Sequence, residues 1–567
     1  MFTMQSASAL AVAFVTTLLL TRDAAASCEP PVAFLPPVLD SCSLNSTFAG
    51  IKSVLDSYFS SAHFAKSTVS IQVSSANETI WSAYHTANTT GNGSAIKVDG
   101  SSVYRIASNT KIFTALAILQ QHAQGKVDLD GSITRYVPEL DVSSKSHIEW
   151  NRISVRDLMS HLGGLQDNYA QEDLAALLPV STLSALGLPP LSDAAAATLP
   201  ACVTNTSILC TAAGLIDNLS TAEPVYPSHT DSSYSNVGYD LLGLAIENLT
   251  GMAYEDYVTT NILVPLGLNS TTFDAPSRSM GAIPAGESQW GAQLGVDNAA
   301  GGIYTSSTDM TRFLRYILNN HNTISPTINW FSPVTYSTGS HNLFGAPWEI
   351  FRTTAILTET NRPVTIMTKG GGLDGYYSYS LLIPDYNLVI SILLAGDLGA
   401  LDPLLGFITT PLIRAIENLA QNELKTRYAG SYAATNLNSS LVLAQTPSRS
   451  LHVAEWTSNG TDVLVPLTQF VAAQAGQGND IYYQITPTSE YRHRNNNQTG
   501  EVWRFINVLD TPAETNVTSE IWNDFCVANM DPISYGGKPL TEVIFWTEGG
   551  EVTEVELSAF RVTMGKR

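Results

Sequence analysis

The sequence predicts a two-domain chain of the α+β or α/β class: a mixed helical and stranded body over residues 48–426, then a smaller antiparallel β domain over 427–567. Three observations predict it. The 567 residues exceed the roughly 250–300 that one hydrophobic core holds. Helical and stranded periodicities alternate as far as Lys425. Beyond that point, short segments of alternating apolar and polar residues stand between Gly, Asn and Pro turns, which is the pattern of an antiparallel sheet.

The chain opens on an apolar stretch, Ala9–Leu20, followed by the small residues Ala24, Ala25 and Ala26. Residues 1–26 therefore read as a secretory signal peptide, with 27–47 as an N-terminal extension. Arg22 and Asp23 break the stretch before the roughly 20 apolar residues a membrane span needs. The expectation is a secreted, extracellular protein with no membrane attachment after cleavage. Asn-x-Ser/Thr sequons at Asn45, Asn77, Asn88, Asn92, Asn205, Asn218, Asn248, Asn269, Asn438, Asn459, Asn497 and Asn516 suit that route. The cysteines are Cys28, Cys42, Cys202, Cys210 and Cys526. In an oxidising compartment the short-range pairs Cys28–Cys42 and Cys202–Cys210 are expected, with Cys526 alone. No cysteine or histidine spacing suits a metal, and no cofactor is expected.

Taken in order, a helix is expected near Phe48–Phe59 and a strand over Ser67–Ser74, then a second strand near Val103–Ile106. One amphipathic helix follows directly over Ser108–Gln124, with Gly125 as its stop. The region 170–230 is rich in Ala, Leu, Ser and Pro and reads as a helical, loop-rich insertion. Tyr239–Thr250 and Ser307–Asn319 have helical period; Tyr377–Ile383 and Leu388–Leu394 read as strands joined by a turn, the second buried on both faces. A helix near Leu412–Lys425 closes the first domain. Strands of the second are expected at Leu451–Trp456, Asp462–Leu467, Ile481–Ile485, Val502–Val508, Val543–Trp546 and Val552–Val562.

A formal net charge of −22 repels phosphate backbones, so nucleic acid is not an expected partner. The acidity reads as solubility outside the cell. The partner expected is a small-molecule acyl substrate, on the following grounds.

A serine nucleophile needs a base within hydrogen-bond reach and donors aimed at the developing oxyanion. No Gly-x-Ser-x-Gly elbow and no His-Glu-x-x-His occurs. The chain offers instead Ser108-Asn109-Thr110-Lys111 at the start of a helix, where residues three apart share a face and unpaired N–H groups and the helix dipole favour an anion. Ser94-Ala95-Ile96-Lys97 matches the same pattern, but it lies in a Gly/Asn turn running into extended chain and reads as a decoy. Two downstream motifs complete the set: Tyr234-Ser235-Asn236 in a loop before a helix, and Lys369-Gly370-Gly371-Gly372 before the Tyr377 strand.

In this order the motifs resemble those of the serine β-lactamase and penicillin-recognising family: class C β-lactamases, related DD-peptidases and β-lactamase-like esterases and transesterases. Flanking segments Ile153–His161, Tyr234–Leu242, Pro265–Leu268 and Ala300–Gly302 are similar too, and the likeness spans Phe48–Leu424. The resemblance implies an antiparallel sheet flanked by helices, with a helical subdomain. It implies that Ser108 attacks an acyl carbonyl and that Lys111 and Tyr234 form the base. Asn236 would orient the substrate and Lys111, Lys369 would keep the site electropositive, and the N–H groups of Ser108 and Gly372, in the Gly371-Gly372 turn, would hold the oxyanion. His161 also falls on a family position and reads as structural.

Burial and a neighbouring cation lower a lysine pKa, and cations lower that of a tyrosine, so either Lys111 or Tyr234 suits the base. Gly370 stands where the family commonly has Thr or Ser. Without that hydroxyl a contact to a penicillin carboxylate is lost, which tilts the expectation towards esters, amides or thioesters, with water or an alcohol or amine as acceptor. A D-amino-acid peptidase or β-lactamase is the nearest alternative, and a non-catalytic binding protein that keeps the fold is the other.

Overall fold

The computed structural model describes residues 31–142, 146–169, 173–196, 199–204, 208–286, 289–475, 481–494, 498–509 and 530–567. The expected signal peptide, Cys28, Cys526 and the sequons at Asn205, Asn497 and Asn516 lie outside them. The chain divides into two compact units. Of the described residues, the larger comprises those within 38–353 and 365–412, the smaller 31–37, 354–364 and those from 413 onward. The division falls inside the helix Asp402–Glu423, upstream of the expected boundary at 427. The helical stretch Leu398–Tyr428 that contains it is long and apolar enough to cross a membrane, yet its stripe Leu404, Ile408, Leu412, Ile416 and Ala420 is buried within the protein.

The larger unit is built on one sheet. Its strands are β1 (Thr68–Ser75), β2 (Thr79–His85), β5 (Thr335–Tyr336), β6 (Asn342–Phe344), β7 (Glu349–Thr353), β8 (Val364–Leu373), β9 (Tyr376–Ile383) and β10 (Leu388–Ala395). β3 (Val103–Arg105) and β4 (Tyr304–Ser306) form a separate antiparallel pair. The eight strands lie in the order β2-β1-β10-β9-β8-β7-β6-β5. β10 is buried at every position and pairs on both sides, antiparallel to β1 and to β9, which explains its near-continuous apolar sequence.

Four helices place the site: α1 (Thr110–Ala123), α2 (Asn236–Thr250), α3 (Asn298–Gly301) and α4 (Ser307–Ile324). α1 is buried from Thr110 to Leu119, a helix enclosed on all sides. α4 packs on β1 and β10 and meets α1 through Phe113 and Phe313, whose rings stack with centroids 3.7 Å apart. The expected helix over Ser108–Gln124 is thus resolved into a 3₁₀ turn, Ala107–Asn109, followed by α1. Ala107, which opens that turn, lies at φ 45°, outside the right-handed helical region.

Within the insertion the Cys202–Cys210 disulfide forms, with Cα atoms 5.0 Å apart. Cys42 is a free, exposed thiol, and Cys28, its expected partner, lies outside the described residues.

The smaller unit contains a nine-stranded sheet around Tyr432, Leu441, Ile485, Trp503, Phe545 and Met564. Two expectations are corrected there. Asp462–Leu467 is not a strand; after the two-residue strand Thr461–Asp462 the chain enters the helix Leu464–Ala475. Its apolar residues recur at 464, 467 and 470–471, a helical spacing that a six-residue window reads as alternation. Val552–Val562 is not one strand but two, Glu551–Leu557 and Val562–Lys566, joined by a turn with Arg561 at φ 53°.

Because Phe113 is enclosed and stacked on Phe313, Phe113→Ala is expected to cost about 3–5 kcal/mol of stability. The check is the shift in urea unfolding midpoint; a change within ~0.5 kcal/mol, the size of an ordinary surface effect, would contradict this packing.

Candidate active site

The site begins where β3 ends. Ile106 donates its N–H to Ile303 O at 3.1 Å, and its carbonyl accepts from Asn109 N at 3.1 Å and Ser378 Oγ at 2.8 Å. Asn109 Nδ2 donates to the same Ser378 Oγ at 2.7 Å. These bonds hold Ala107 in a conformation that alanine otherwise avoids and present Ser108, half-buried, ahead of α1. Gly371 lies against this turn: a Cβ there would fall 2.2 Å from Ile106 O and 2.6 Å from Ser378 Oγ. Only glycine permits that approach.

Lys111 is fully buried in the first turn of α1. Its Nζ stands 3.1 Å from Ser108 Oγ, 2.5 Å from Asn236 Oδ1 and 2.9 Å from Ala300 O. Removal from water lowers its pKa, and the Lys369 charge lowers it further, against an upward pull from Tyr234.

Tyr234 and Asn236 flank Ser235, the N-cap of α2, whose side chain accepts from Gly238 N at 3.0 Å. Asn236 is fixed by its backbone N–H to Asp167 O at 2.7 Å and by Nδ2 to Asp167 Oδ1 at 3.0 Å and Asn168 Oδ1 at 2.7 Å. Its oxygen is thereby turned to Lys111. The Tyr234 phenol lies beside Ser108 and both lysines, close enough for each to act on the others' charges. The Nζ atoms of Lys111 and Lys369 stand 5.2 and 5.0 Å from its ring centroid. Burial alone raises the phenol pKa; the two ammonium groups outweigh it and hold Tyr234 below the usual tyrosine value.

Lys369, on β8, is buried against Glu349 of β7, with Nζ 2.6 Å from Oε1. The other oxygen, Oε2, accepts from Gly370 N at 2.8 Å. Burial lowers the Lys369 pKa, but Glu349 and then Tyr234 more than offset it, so its pKa is raised and it stays charged. Peptide N–H directions alternate along a strand. With Gly370 N–H turned to β7, Gly372 N–H points the same way and is exposed, whereas Gly371 N–H faces β9.

The structure therefore brings Ser108, Lys111, Tyr234, Asn236 and Lys369 into one cluster, with Gly371 and Gly372 on its β8 border. The decoy stays apart: Ser94 Oγ donates to Gly281 O at 3.0 Å and accepts from Ile283 N at 3.0 Å, and Lys97 is exposed. Sequence reasoning missed Glu349, Asp167, Asn168 and Ser378. The one available signal was Glu349 itself, a lone acid in the apolar run Ala346–Ile350.

A serine hydroxyl beside a buried amine, a phenol and a fixed cation is equipped for nucleophilic attack on a carbonyl. The beta-lactamase family model matches residues 61–404, and a model described as a beta-lactamase-like C-terminal domain matches 420–567. A probable hydrolase of Phoma sp. is 36% identical over 552 residues, covering 95% of this chain and 91% of its own. One of Cochliobolus lunatus is 35% identical over 574 residues, covering 96% and 92%. Among solved structures, a D-stereospecific amidohydrolase from Streptomyces sp. is 21% identical with a TM-score of 0.47, covering 62% of this chain and 96% of its own. The chain belongs to the beta-lactamase family. Within it, it is a beta-lactamase-like enzyme of the hydrolase type that carries a β-rich C-terminal domain.

Glu349 raises the pKa values of both Tyr234 and Lys369. Glu349→Gln should therefore lower both and move the two limbs of the pH–rate profile for hydrolysis to lower pH. A profile unmoved in folded variant would refute the assigned coupling.

Proposed function

We propose that this enzyme works through an acyl-Ser108 intermediate on an ester, amide or thioester. The observation that carries the reading is the 3.1 Å separation of Lys111 Nζ from Ser108 Oγ, with the Tyr234 ring centroid 5.2 Å from the same Nζ. Ser108 Oγ attacks the acyl carbonyl while its proton passes to the Lys111–Tyr234 pair. The carbonyl oxygen becomes an anion facing the N–H groups of Ser108 and Gly372. Collapse of the tetrahedral species expels the leaving group, which takes the proton from the pair. An acceptor then enters, gives its proton to the pair and attacks the acyl carbonyl, and Ser108 recovers its own proton as the ester breaks. Water as acceptor makes the reaction a hydrolysis; an alcohol or amine makes it a transfer.

Lys111 and Tyr234 share one proton between them. The Lys111 ammonium stabilises a Tyr234 phenolate, whereas the neutral Lys111 amine is favoured by burial and by Lys369 against the pull of Tyr234. Lys369, neutralised by Glu349 on its far side, stays a fixed cation throughout.

Gly370 supports esters, amides or thioesters over penicillins. A Cβ at Gly370 would lie 3.1 Å from the Tyr379 ring and 3.4 Å from Glu349 Oε2. The ring edge and the carboxylate thus occupy the surroundings in which a Thr or Ser side chain would have to fit. The apolar leader and the sequons support secretion; the mature protein recovered from culture medium should begin near Ala26 or Ser27, and a retained Met1 there would refute it.

The central test is covalent. A fluorophosphonate probe should add to Ser108 in the wild type and not in Ser108→Ala, read by intact mass and peptide mapping. Lys111→Met should slow labelling about 10²–10⁴-fold. Nitrophenyl esters should turn over faster than nitrocefin. No adduct on active protein, or an adduct elsewhere, would overturn the reading.

A further inference from the structure

His161 is buried beside the site and takes no part in the steps above. Its backbone lies at φ 63°, in the left-handed region that a non-glycine residue seldom occupies. It is followed by Leu162, Gly163 and Gly164. The two groups through which His161 meets the Tyr234 segment lie on either side of that tyrosine. Its carbonyl accepts Ser233 N–H at 2.9 Å, and its ring nitrogen Nδ1 accepts Ser235 N–H at 3.2 Å. The ring also stacks on Tyr234 with centroids 4.4 Å apart and a 30° tilt. Phe344 meets it edge-on at 5.2 Å, and Tyr239 closes a third side at 5.6 Å.

From this geometry we infer that His161 is a positioning residue for Tyr234. It clamps the chain before and after the tyrosine and supports the ring, so that the phenol is held where Ser108 and the two lysines meet. The inference rests on the acyl-serine reading.

The chemistry of the imidazole fits the task. A backbone N–H donated to Nδ1 requires that nitrogen to carry a lone pair, which fixes the proton on Nε2. Nε2 has no hydrogen-bond partner among the described residues, so the ring is not held from that end. Protonation would put two donors, Nδ1–H and Ser235 N–H, against each other. Burial first, then the charges of Lys369 and Lys111, push the imidazole pKa well below its ordinary value and keep the ring neutral. The titratable groups around it are those two lysines, Tyr234 and Tyr239.

Two variants separate the clamp from the stack. His161→Asn offers a side-chain oxygen near the place of Nδ1 and tolerates the left-handed backbone, but has no imidazole. His161→Phe keeps a ring and loses the acceptor. Acylation by a nitrophenyl ester is expected to fall roughly tenfold to a hundredfold in kcat in His161→Phe, with KM little changed, and less in His161→Asn. In His161→Phe the acidic limb should move to higher pH, because a phenol drifting from the lysines regains its usual pKa. Folded variants with wild-type kcat and an unmoved limb overturn the inference, as does loss confined to KM. If the variants do not fold, ¹⁵N-histidine NMR of the wild type decides: the Nε2–H neutral tautomer from pH 6 to 8 is expected, and an Nδ1–H or charged ring overturns it. Failure of the wild type itself to acylate at Ser108 would remove the parent reading along with this one, whereas normal acylation with unaffected His161 variants removes this one alone.

Discussion

The burial of the Lys111 amine is the constraint on which the rest of the site depends. A group cut off from water has to be met by acceptors, and none of the three it finds is a carboxylate: Ser108 Oγ, Asn236 Oδ1 and Ala300 O. Hydroxyl and carbonyl partners satisfy the donors without restoring the stabilisation that an anion would give the charge. The amine is therefore kept easier to deprotonate than a lysine in water. Each acceptor comes from a different segment, so the helix carrying Lys111, the α2 N-terminus and α3 have to arrive together for the amine to be accommodated at all.

Around this group the charges are linked. Lys111 and Lys369 both stand close to the Tyr234 ring, and Glu349 pairs with Lys369. Glu349 is partly exposed, so water screens it more than the buried lysine it faces. Its effect is to keep Lys369 cationic, and Lys369 in turn favours a neutral Lys111 and an ionised Tyr234. Two lysines in one site thereby reach opposite protonation tendencies: one has a carboxylate partner and the other does not.

Ser108 is positioned by steric limits as much as by hydrogen bonds. Ala107 is held in an unfavoured conformation by bonds to Ile106 and Asn109, which share the Ser378 hydroxyl. Gly371 lets β8 pass close enough to support that turn. In the smaller unit the rings of Tyr428, Trp503 and Phe545 are in mutual contact, with centroids 4.8–5.5 Å apart.

By itself the sequence determined the identity and order of the reactive groups. Ser108 and Lys111 share one turn, and the motifs at Tyr234 and Lys369 are local patterns that carry their own spacing, as are the buried run of β10 and the helical period of α4. Only the tertiary structure decided which of these groups meet and what supports them. Glu349 lies twenty residues from Lys369 on the neighbouring strand, and Asp167 reaches Asn236 from 69 residues away; neither contact leaves a periodic trace. The same holds for the split of Val552–Val562 into two strands and the helix at Leu464, where a short window of alternation carries no information on turns or neighbours. Local sequence fixes dihedral preference and the faces of single elements, whereas pairing across the chain depends on which surfaces exclude water together, and that is settled only when the whole chain is packed.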